Sequence, residues 1–331
     1  MKKTIIERSY NFNSVSIAQS RNVVNSRLDV DISSEIIRGV KIDIPLIAAN
    51  MSTVCNDKFC IELFKSGALG VLHRADKDDS LIKQTINISK NCSNVAVSVG
   101  VGDNQKELLH KLVDAGANII FVDVAHGFGS YSMDMCKYIK NKFQTVKVVI
   151  GNATNPDIVK HVHKFVDAIK IGIANGYACD TKYTAGCNEG QFSTVLKFKD
   201  VYKRYGIPII SDGGTRIPAD FVKAIGAGSN SVMAGSIFAR CPESAAPIEM
   251  DHGIAKKVYA GMASKYVQEI WRGGLKEGTC AEGKKILLDM GEPVSSLLER
   301  YAGALRSGIT YGGGKNISTF QKKVKFVEVV G

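Results

Sequence analysis

Short apolar segments alternate with helical segments between residues 45 and 234, and this alternation limits the folds open to the chain. The apolar segments are rich in β-branched residues, and helical patterns of ~10–15 residues separate them, which is typical of a parallel sheet with crossover helices. Strands are predicted at 45–49, 68–72, 95–99, 119–124, 146–150, 167–173, 208–211 and 231–234. Helices are predicted at 56–66, 79–89, 104–115, 130–143, 155–164, 190–205 and 217–227. The repeat favours a closed (β/α)8 TIM barrel over an open sheet.

The composition of the remaining segments gives no indication of a second domain. Residues 1–44 are polar and mixed, and we expect an irregular lead-in that could include short strands. Gly100-Val-Gly102 follows the third strand but lacks the third glycine of a dinucleotide fingerprint, so it predicts a tight loop. No segment rich in Pro, Gly or Ser divides the chain. We therefore expect residues 1–331 to form a single barrel domain.

The net charge of +11 comes from scattered lysines and arginines rather than from a basic run. It is compatible with attraction of an anionic, phosphorylated metabolite or with a merely basic surface, and it gives no sign of a nucleic-acid partner. The eight cysteines form no Cys-x-x-Cys pair, so we expect mostly buried thiols. No apolar run approaches the length of a membrane helix, and we expect a cytoplasmic protein.

Two glycine-rich turns follow the seventh and eighth predicted strands. They are Ser211-Asp-Gly-Gly-Thr215 and Met233-Ala-Gly-Ser236. Loops at these two positions commonly form the phosphate site of such barrels, because glycine lets backbone N–H groups approach an anion. Asp212 could accept hydrogen bonds from a ribose diol. Ordinary tight barrel loops remain the alternative for both turns.

The sixth strand runs into a loop that carries a thiol and a hydroxyl, Cys179 and Thr181. Chemistry in these barrels lies at the C-terminal ends of the strands, so we expect Cys179 at the active site, with Thr181 and the distant Glu282 as a proton relay. An inert buried thiol is the alternative. His73 and His126 also end strands; they could line the site or be polar residues of the barrel mouth.

Taken together, these motifs are similar to those of a known family. The chain resembles the inosine-5′-monophosphate dehydrogenase / guanosine-5′-monophosphate reductase superfamily over roughly residues 45–325. The matching segments are 49–54, 70–74, 123–127, 151–152, the Cys179 loop, 212–214, 232–236, 258–262 and 282–283.

Within the superfamily, four features resemble the reductase branch. The chain has no regulatory CBS insertion after the second strand. Asp123-Val-Ala-His-Gly127 is similar to the reductase loop, as is the Ser307–Gly313 tail. The segment from Met262 to Glu282 lacks the Arg-Tyr pair with which dehydrogenases activate water. The resemblance implies NADPH-dependent conversion of GMP to IMP and ammonia. In it, Cys179 attacks C2 of the purine to give a thioimidate, and Thr181 with Glu282 protonates the departing ammonia.

The resemblance also implies ligand positions and an assembly. Substrate contacts fall to Asp212, Gly213, Gly214, Gly235, Ser236, Gly261, Met262, Ala263 and Gly283. Cofactor contacts fall to Ser26, Arg27, Arg74, Asp123, Val124, Ala125, Ile173, Ala174, Ser307, Gly308, Ile309 and Thr310. A K⁺ ion could bind at Ala174, Gly176 and Cys179. We expect a homotetramer, a mobile loop at 263–281 near the active site, and a C-terminal segment at 305–331.

The Cys179 loop departs from the family pattern. Ala174-Asn-Gly-Tyr177 stands where Gly-Pro-Gly-Ser is usual, and Asp180 places a negative charge beside the cysteine. Two other functions therefore stay open. One is an IMP dehydrogenase that lacks the insertion and converts IMP to XMP with NAD. The other is a non-catalytic purine-nucleotide-binding barrel.

Overall fold

A short hairpin closes one end of the structure before the barrel begins. The computed structural model describes residues 6–329. In this first part lie two 3₁₀ turns (Phe12–Ser14 and Arg27–Asp29) and the strands β1 (Val15–Ala18), β2 (Ser34–Ile37) and β3 (Val40–Ile42). β2 and β3 pair antiparallel, and Ile36, Ile37, Val40 and Ile42 pack into the cluster of side chains inside the barrel. Residues 34–42 thus contain short strands, which the expected lead-in allowed, and they form a structured plug.

Eight parallel strands close into a barrel, which confirms the predicted (β/α)8 fold. They are β4 (Leu46–Ala48), β5 (Leu69–Leu72), β6 (Ala96–Val99), β7 (Ile119–Asp123), β8 (Lys147–Ala153), β9 (Ala168–Ile171), β10 (Ile209–Asp212) and β11 (Ser231–Ala234). Closure comes from β11 pairing with β4, with Val232 opposite Leu46. Only residues 73–77 separate β5 from the next helix, so the predicted absence of an insertion there is also confirmed.

Helices follow the strands and bury a second apolar layer against the outside of the barrel. They are α1 (Asp57–Lys65), α2 (Asp78–Ser89), α3 (Asp103–Asp114), α4 (Ser130–Lys142), α5 (Ile158–Val162), α6 (Thr181–Thr184), α7 (Gln191–Phe198), α8 (Val201–Tyr205), α9 (Pro218–Ala227) and α10 (Ser236–Ala239). None of the helices within residues 6–329 has the length and apolar character that a membrane span requires.

Two predicted helices differ from the observed ones. The helix predicted at 155–164 is shorter, because the Asn155 side chain accepts the Asp157 N–H in a turn and delays its start. The helix predicted at 190–205 divides into α7 and α8. Near this break the chain passes close to Gly228, where a Cβ would lie 2.7 Å from that of Lys199.

The chain after the barrel forms elements that the sequence pattern did not predict. They are β12 (Ile248–Asp251), β13 (Ile254–Ala260), α11 (Lys265–Arg272), β14 (Lys285–Asp289), α12 (Val294–Tyr311), α13 (Ile317–Lys323) and β15 (Lys325–Glu328). β12, β13 and β14 form an antiparallel sheet, and β15 pairs with β1. The excursion between β13 and β14 brings α11 and Glu282 to the mouth of the barrel.

Candidate active site

A cavity of about 340 Å³ opens at the C-terminal ends of the barrel strands. Most residues predicted for the site line it. They are Cys179, Thr181, Glu282, Asp212, Gly213, Gly214, Gly235, Ser236, Gly261, Met262, Ala263, Arg74, Asp123, Val124, Ala125, Ile173, Ala174 and Gly176. Gly283 lies beside it, where its backbone bridges to those of Cys179 and Ser264.

The three predicted relay residues form a continuous chain of side-chain contacts. Cys179 Sγ lies 3.3 Å from Thr181 Oγ1, and the Thr181 hydroxyl donates to Glu282 Oε2 at 2.8 Å. All three side chains are half-buried, so the thiol is open to the cavity and yet partly shielded from water. A nucleophile, a hydroxyl and a carboxylate at these distances can pass a proton between a bound ligand and Glu282.

Main-chain hydrogen bonds hold Glu282 against the cysteine loop. The Asp180 N–H donates to the Glu282 carbonyl at 2.9 Å, and the Lys284 N–H donates to the Ala178 carbonyl at 3.0 Å. On the other side, the Glu282 N–H donates to the Ala263 carbonyl at 3.1 Å. The carboxylate is therefore fixed by backbone pairing although it is distant from Cys179 in sequence. Lys284 Nζ also lies 3.7 Å from Asp180 Oδ1 and offsets the negative charge beside the cysteine.

A buried ionic network forms the floor of the cavity. Lys170 Nζ contacts Asp212 Oδ2 at 2.5 Å and Asp123 Oδ1 at 2.9 Å, and it also donates to Asn152 Oδ1. Asn152 Nδ2 donates to Asp212 Oδ2, and Asn50 Nδ2 donates to Asp123 Oδ2, both at 2.9 Å. The network joins residues on or just after five barrel strands, β4, β7, β8, β9 and β10, and links the carboxylate predicted for the ribose to the one predicted for the cofactor.

The charges in this floor stabilise one another. Burial lowers the pKa of Lys170, but the Asp123 and Asp212 carboxylates raise it by more, so the net shift of this pKa is upward. For Asp123, burial raises the pKa, and the charges of Lys170 and Arg74 lower it by more, so its pKa lies below the usual range. Lys170 and Asp123 therefore both stay charged at neutral pH.

Two glycine positions let the strand-end loops approach closely. A Cβ on Gly172 would lie 2.3 Å from the Asp212 carbonyl oxygen, and one on Gly213 would lie 2.9 Å from the Gly176 nitrogen. Both glycines also have positive φ, which L side chains rarely adopt. The Gly214 N–H donates to the Asn175 carbonyl at 3.0 Å. The loop after β10 is therefore packed directly against the cysteine loop.

Tyr259 on β13 closes the end of the cavity at Gly235 and Ser236. Its side chain is buried, and a Cβ on Gly235 would lie 2.4 Å from the Tyr259 hydroxyl oxygen. Burial, with the nearby Asp212 and Cys179, raises the pKa of this phenol, so it remains a hydrogen-bond donor. A phenol and a glycine-serine backbone at one end of a cavity can bind an anion such as phosphate.

The outer side of the cavity is formed by α11. Two guanidinium groups lie against the Trp271 ring, with Arg74 Cζ 5.3 Å and Arg272 Cζ 3.7 Å from its centroid. Within residues 6–329, neither arginine has a carboxylate oxygen within 4.0 Å. This stack presents an aromatic ring and positive charge to the cavity, a combination that suits a planar anionic ligand.

Comparison with known proteins identifies the family of the chain. The family model described as "IMP dehydrogenase / GMP reductase domain" matches residues 9–331. The chain belongs to this family. A GMP reductase of Oenococcus oeni is 31% identical over 94% of this chain and 94% of its own length. A GMP reductase of Lactobacillus delbrueckii is 30% identical over 97% of this chain and 95% of its own length. An inosine-5′-monophosphate dehydrogenase of Aquifex aeolicus is 33% identical over 71% and 49%, respectively.

The IMP dehydrogenase / GMP reductase family consists of oxidoreductases. These act on purine nucleotides with nicotinamide cofactors. The residues present fit such a cofactor, since the cavity that holds Cys179 also offers the Trp271 ring with Arg74 and Arg272 against it, and the Asp123 carboxylate.

The cofactor residues predicted from the family separate into two places. Arg74, Asp123, Val124, Ala125, Ile173 and Ala174 line the main cavity. Arg27 and Thr310 instead line a second cavity, and Ser26 caps the 3₁₀ turn beside it. Ser307, Gly308 and Ile309 precede Thr310 on α12. A single chain therefore does not bring the whole predicted set around one cavity.

A K⁺ ion at the cysteine loop stays a prediction. Within residues 6–329, no three His, Cys, Asp or Glu side chains converge on a metal-sized site, so a cation would depend on backbone carbonyls. One of these, the Gly176 carbonyl, already accepts the Cys179 N–H at 3.1 Å.

The two histidines at strand ends do not line the cavity. His73 is buried, and its Nδ1 accepts the Ala75 N–H at 3.1 Å; His126 is exposed. The cavity also includes residues for which no role was predicted, namely Asn50, Asn152, Lys170, Arg216, Tyr259, Trp271 and Arg272. Asn50, Asn152 and Tyr259 lie within matched motifs, and a polar residue inside an apolar strand was the signal that could have marked Lys170.

Proposed function

We propose that this member of the family is a GMP reductase, which converts GMP to IMP with NADPH. The observation that carries the proposal is the Cys179–Thr181–Glu282 chain of contacts at 3.3 and 2.8 Å, at the edge of a nucleotide-sized cavity. The full-length similarity to GMP reductases of other organisms supports it. The reaction is GMP + NADPH + 2 H⁺ → IMP + NH₄⁺ + NADP⁺.

The chain's own residues perform the first half of this reaction. Cys179 Sγ, as a thiolate, forms a bond to C2 of the purine. The bond between C2 and the amine breaks. Thr181 passes a proton from Glu282 to the amine, which leaves as ammonia. This leaves a thioimidate between the substrate and Cys179. The covalent intermediate divides one difficult displacement into two easier steps.

The second half needs a hydride donor. Arg74, Asp123 and Trp271 would hold NADPH, which would supply hydride to C2. Cys179 then leaves as thiolate, and IMP is released. The substrate lies with its ribose at Asp212, its phosphate at Gly213, Gly214, Gly235 and Ser236, and its base near Met262, Ala263 and Gly283.

We propose that the chain works as a homotetramer, in which the second cavity at Arg27 and Thr310 completes the cofactor site of a neighbouring subunit. This assignment accounts for the separation of the predicted cofactor residues into two cavities. We also propose that 263–281 moves when ligands bind. Its three glycines at 273, 274 and 278 have positive φ and open space at the Cβ position.

The decisive experiment follows NADPH absorbance in the presence of GMP. We expect GMP-dependent oxidation of NADPH by the full chain and none by Cys179→Ala that still binds GMP. NADH formation from IMP and NAD would instead identify a dehydrogenase. Nucleotide binding without turnover in either direction would identify a non-catalytic barrel. Turnover that survives Cys179→Ala would refute the thioimidate.

A second experiment tests the relay. Glu282→Gln keeps the hydrogen bond to Thr181 but removes the group that supplies the proton, and we expect kcat to fall by about 10²–10⁴-fold with little change in GMP affinity. Glu277→Gln is the matched control, because this glutamate is exposed on the same segment. Equal effects of the two changes would contradict the relay.

A further inference from the structure

A third space, distinct from the cavity at Arg27 and Thr310, adjoins the proposed phosphate end of the active site. It has a volume of about 360 Å³, and Arg216, Arg240 and Arg300 line it. Tyr177 and Ser236, as well as Arg216, line both this pocket and the main cavity. The two spaces are therefore neighbours across the Tyr177 and Arg216 side chains. We call this space the arginine pocket.

The arginine pocket carries an excess of positive charge. Arg300 Nε and Nη2 both donate to Glu292 Oε1, at 2.8 and 2.5 Å, so this pair is neutral. Arg216 Cζ lies 5.1 Å from the Tyr177 ring centroid, and Arg240 Nη1 donates to the Asp289 carbonyl at 3.1 Å. In the part of the chain that the structure describes, neither Arg216 nor Arg240 has a carboxylate oxygen within 4.0 Å. Two guanidinium charges thus remain uncompensated in a concave pocket.

Guanidinium groups of this kind are suited to phosphate, because their N–H fork matches two phosphate oxygens. In the proposed function, the anionic group nearest to the arginine pocket is the nucleotide phosphate at Gly235 and Ser236. A phosphate attached to that one extends away from the ribose, and the space on that side is the arginine pocket. Its volume exceeds what one additional phosphate occupies, so hydration water would fit as well.

We propose that the arginine pocket is a subsite for a second phosphate, so that the chain binds purine nucleoside 5′-diphosphates as well as monophosphates. The proposal rests on the orientation of the nucleotide in the proposed function. It deepens that function by adding a ligand class that the reaction with GMP does not require. It also gives a role to Tyr177, whose ring holds Arg216 between the two spaces.

The test measures nucleotide affinity rather than turnover. Trp271 is the only tryptophan of the chain and lines the main cavity, so its fluorescence reports titrations with GMP and GDP. We expect GDP to bind roughly tenfold more tightly than GMP at low salt, as one or two added charge-assisted hydrogen bonds predict. The advantage should shrink as salt is added.

Two variants change the expected advantage in opposite directions. Arg240→Gln should bring the ratio of GDP to GMP affinity close to one. Glu292→Gln should increase the ratio, because it frees Arg300 for the ligand; a merely destabilised protein would show no such gain. Arg204→Gln is the control, since this exposed arginine lies on α8 and outside both cavities.

The outcomes separate this proposal from the proposed function. Equal affinities for GDP and GMP, in a protein that reduces GMP, overturn the subsite alone. An affinity ratio that Arg240→Gln leaves unchanged does the same. A GDP advantage that Arg240→Gln removes, in a protein without GMP reductase activity, supports the subsite and overturns the proposed function. Inorganic phosphate that changes GMP affinity without any GDP advantage indicates an independent anion site and overturns the diphosphate assignment.

Discussion

The floor and the outer wall of the active-site cavity are built in different ways. The floor is the Lys170 network, in which the buried Lys170 ammonium, the half-buried Asp123 and Asp212 carboxylates and two asparagines are joined by side-chain contacts of 2.5–2.9 Å. The wall is the segment 263–281, where only Ser264 and Val267 are buried. Val267 belongs to a small cluster with Ala75 and Ala260, separate from the two large cores.

This difference teaches which part of the site is pre-formed. Side chains on packed strands have one arrangement, so the floor fixes Asp123 and Asp212 before any ligand binds. A segment with few buried contacts can open at low free-energy cost, so the wall can follow the ligand. Glu282 lies where the two meet, and its backbone pairs with the cysteine loop rather than with the wall alone.

The largest expected effect comes from breaking the floor. Lys170→Met leaves two carboxylates facing each other without a counter-charge, and we expect it to lower the free energy of unfolding by about 3–5 kcal/mol. Urea denaturation measures this. Lys197→Met is the control, because its partner Glu189 forms a more exposed pair worth less than about 1 kcal/mol. Similar losses for the two variants would remove the distinction between floor and surface.

Acid should act at the contact between floor and wall. Burial lowers the pKa of His73 to about 4, against a small rise from Asp76. Between pH 6.5 and 4 the unfolded chain binds a proton that the folded chain excludes, so stability falls as pH falls, by roughly 3 kcal/mol in total. Protonation would also end the acceptance of the Ala75 N–H by Nδ1, beneath the wall.

Unfolding curves across this pH range check the prediction. His73→Asn retains an acceptor for the Ala75 N–H and should flatten the dependence. His252→Asn should leave it unchanged, since that histidine is 96% exposed. A wild-type slope that survives in His73→Asn would assign the acid sensitivity to other groups.

A smaller effect is expected from the wall itself. Trp271→Ala removes two cation–π contacts, each worth about 0.5–1 kcal/mol, so local opening of 263–281 should become roughly fivefold more frequent or greater. Trypsin cleavage within the segment measures this, while the urea midpoint of the barrel should not move. Ile270→Ala, on the same helix and 72% exposed, is the matched control. A shift of the urea midpoint would show that the wall supports the barrel.

The smallest expected effect concerns Ala174 in the cysteine loop, which has a φ of 65°. An L residue there costs about 1–2 kcal/mol, and glycine costs about 0.5–1 kcal/mol in unfolded-chain entropy. Ala174→Gly should therefore stabilise the protein by roughly 0.5–1 kcal/mol. Ala185→Gly, at a residue with negative φ, should not stabilise it. A loss of stability in Ala174→Gly would mean that the methyl group packs more favourably than the strain costs.

The barrel could be predicted because its rule is local. Each strand is an apolar run followed by an amphipathic helix, and the phosphate turns and Cys179 follow strands directly in sequence. Thr181 and Glu282 could be suggested as a relay from their residue types, but their proximity depends on backbone pairing between 178–180 and 282–284, which no local pattern predicts.

The rest depends on contacts that no local pattern encodes. The 34–42 plug contains ordinary short apolar runs, and only its position under the barrel explains their burial. Lys170 lies among apolar residues on β9, and its partners come from three other strands or their ends. The sheet β12–β14 was not predicted, because its central strand pairs with segments on both sides of α11.

The pairing of β1 with β15 has a mechanical consequence. Val15 lies opposite Glu328, and Ala18 lies opposite Lys325. The N-terminal end of β1 and the C-terminal end of β15 therefore lie at the same end of the ladder. A force that pulls these two strand ends apart would load the hydrogen bonds of the ladder one at a time, in an unzipping geometry. The ladder should therefore part at low force and lengthen the molecule by a small first step, before the barrel strands bear any load.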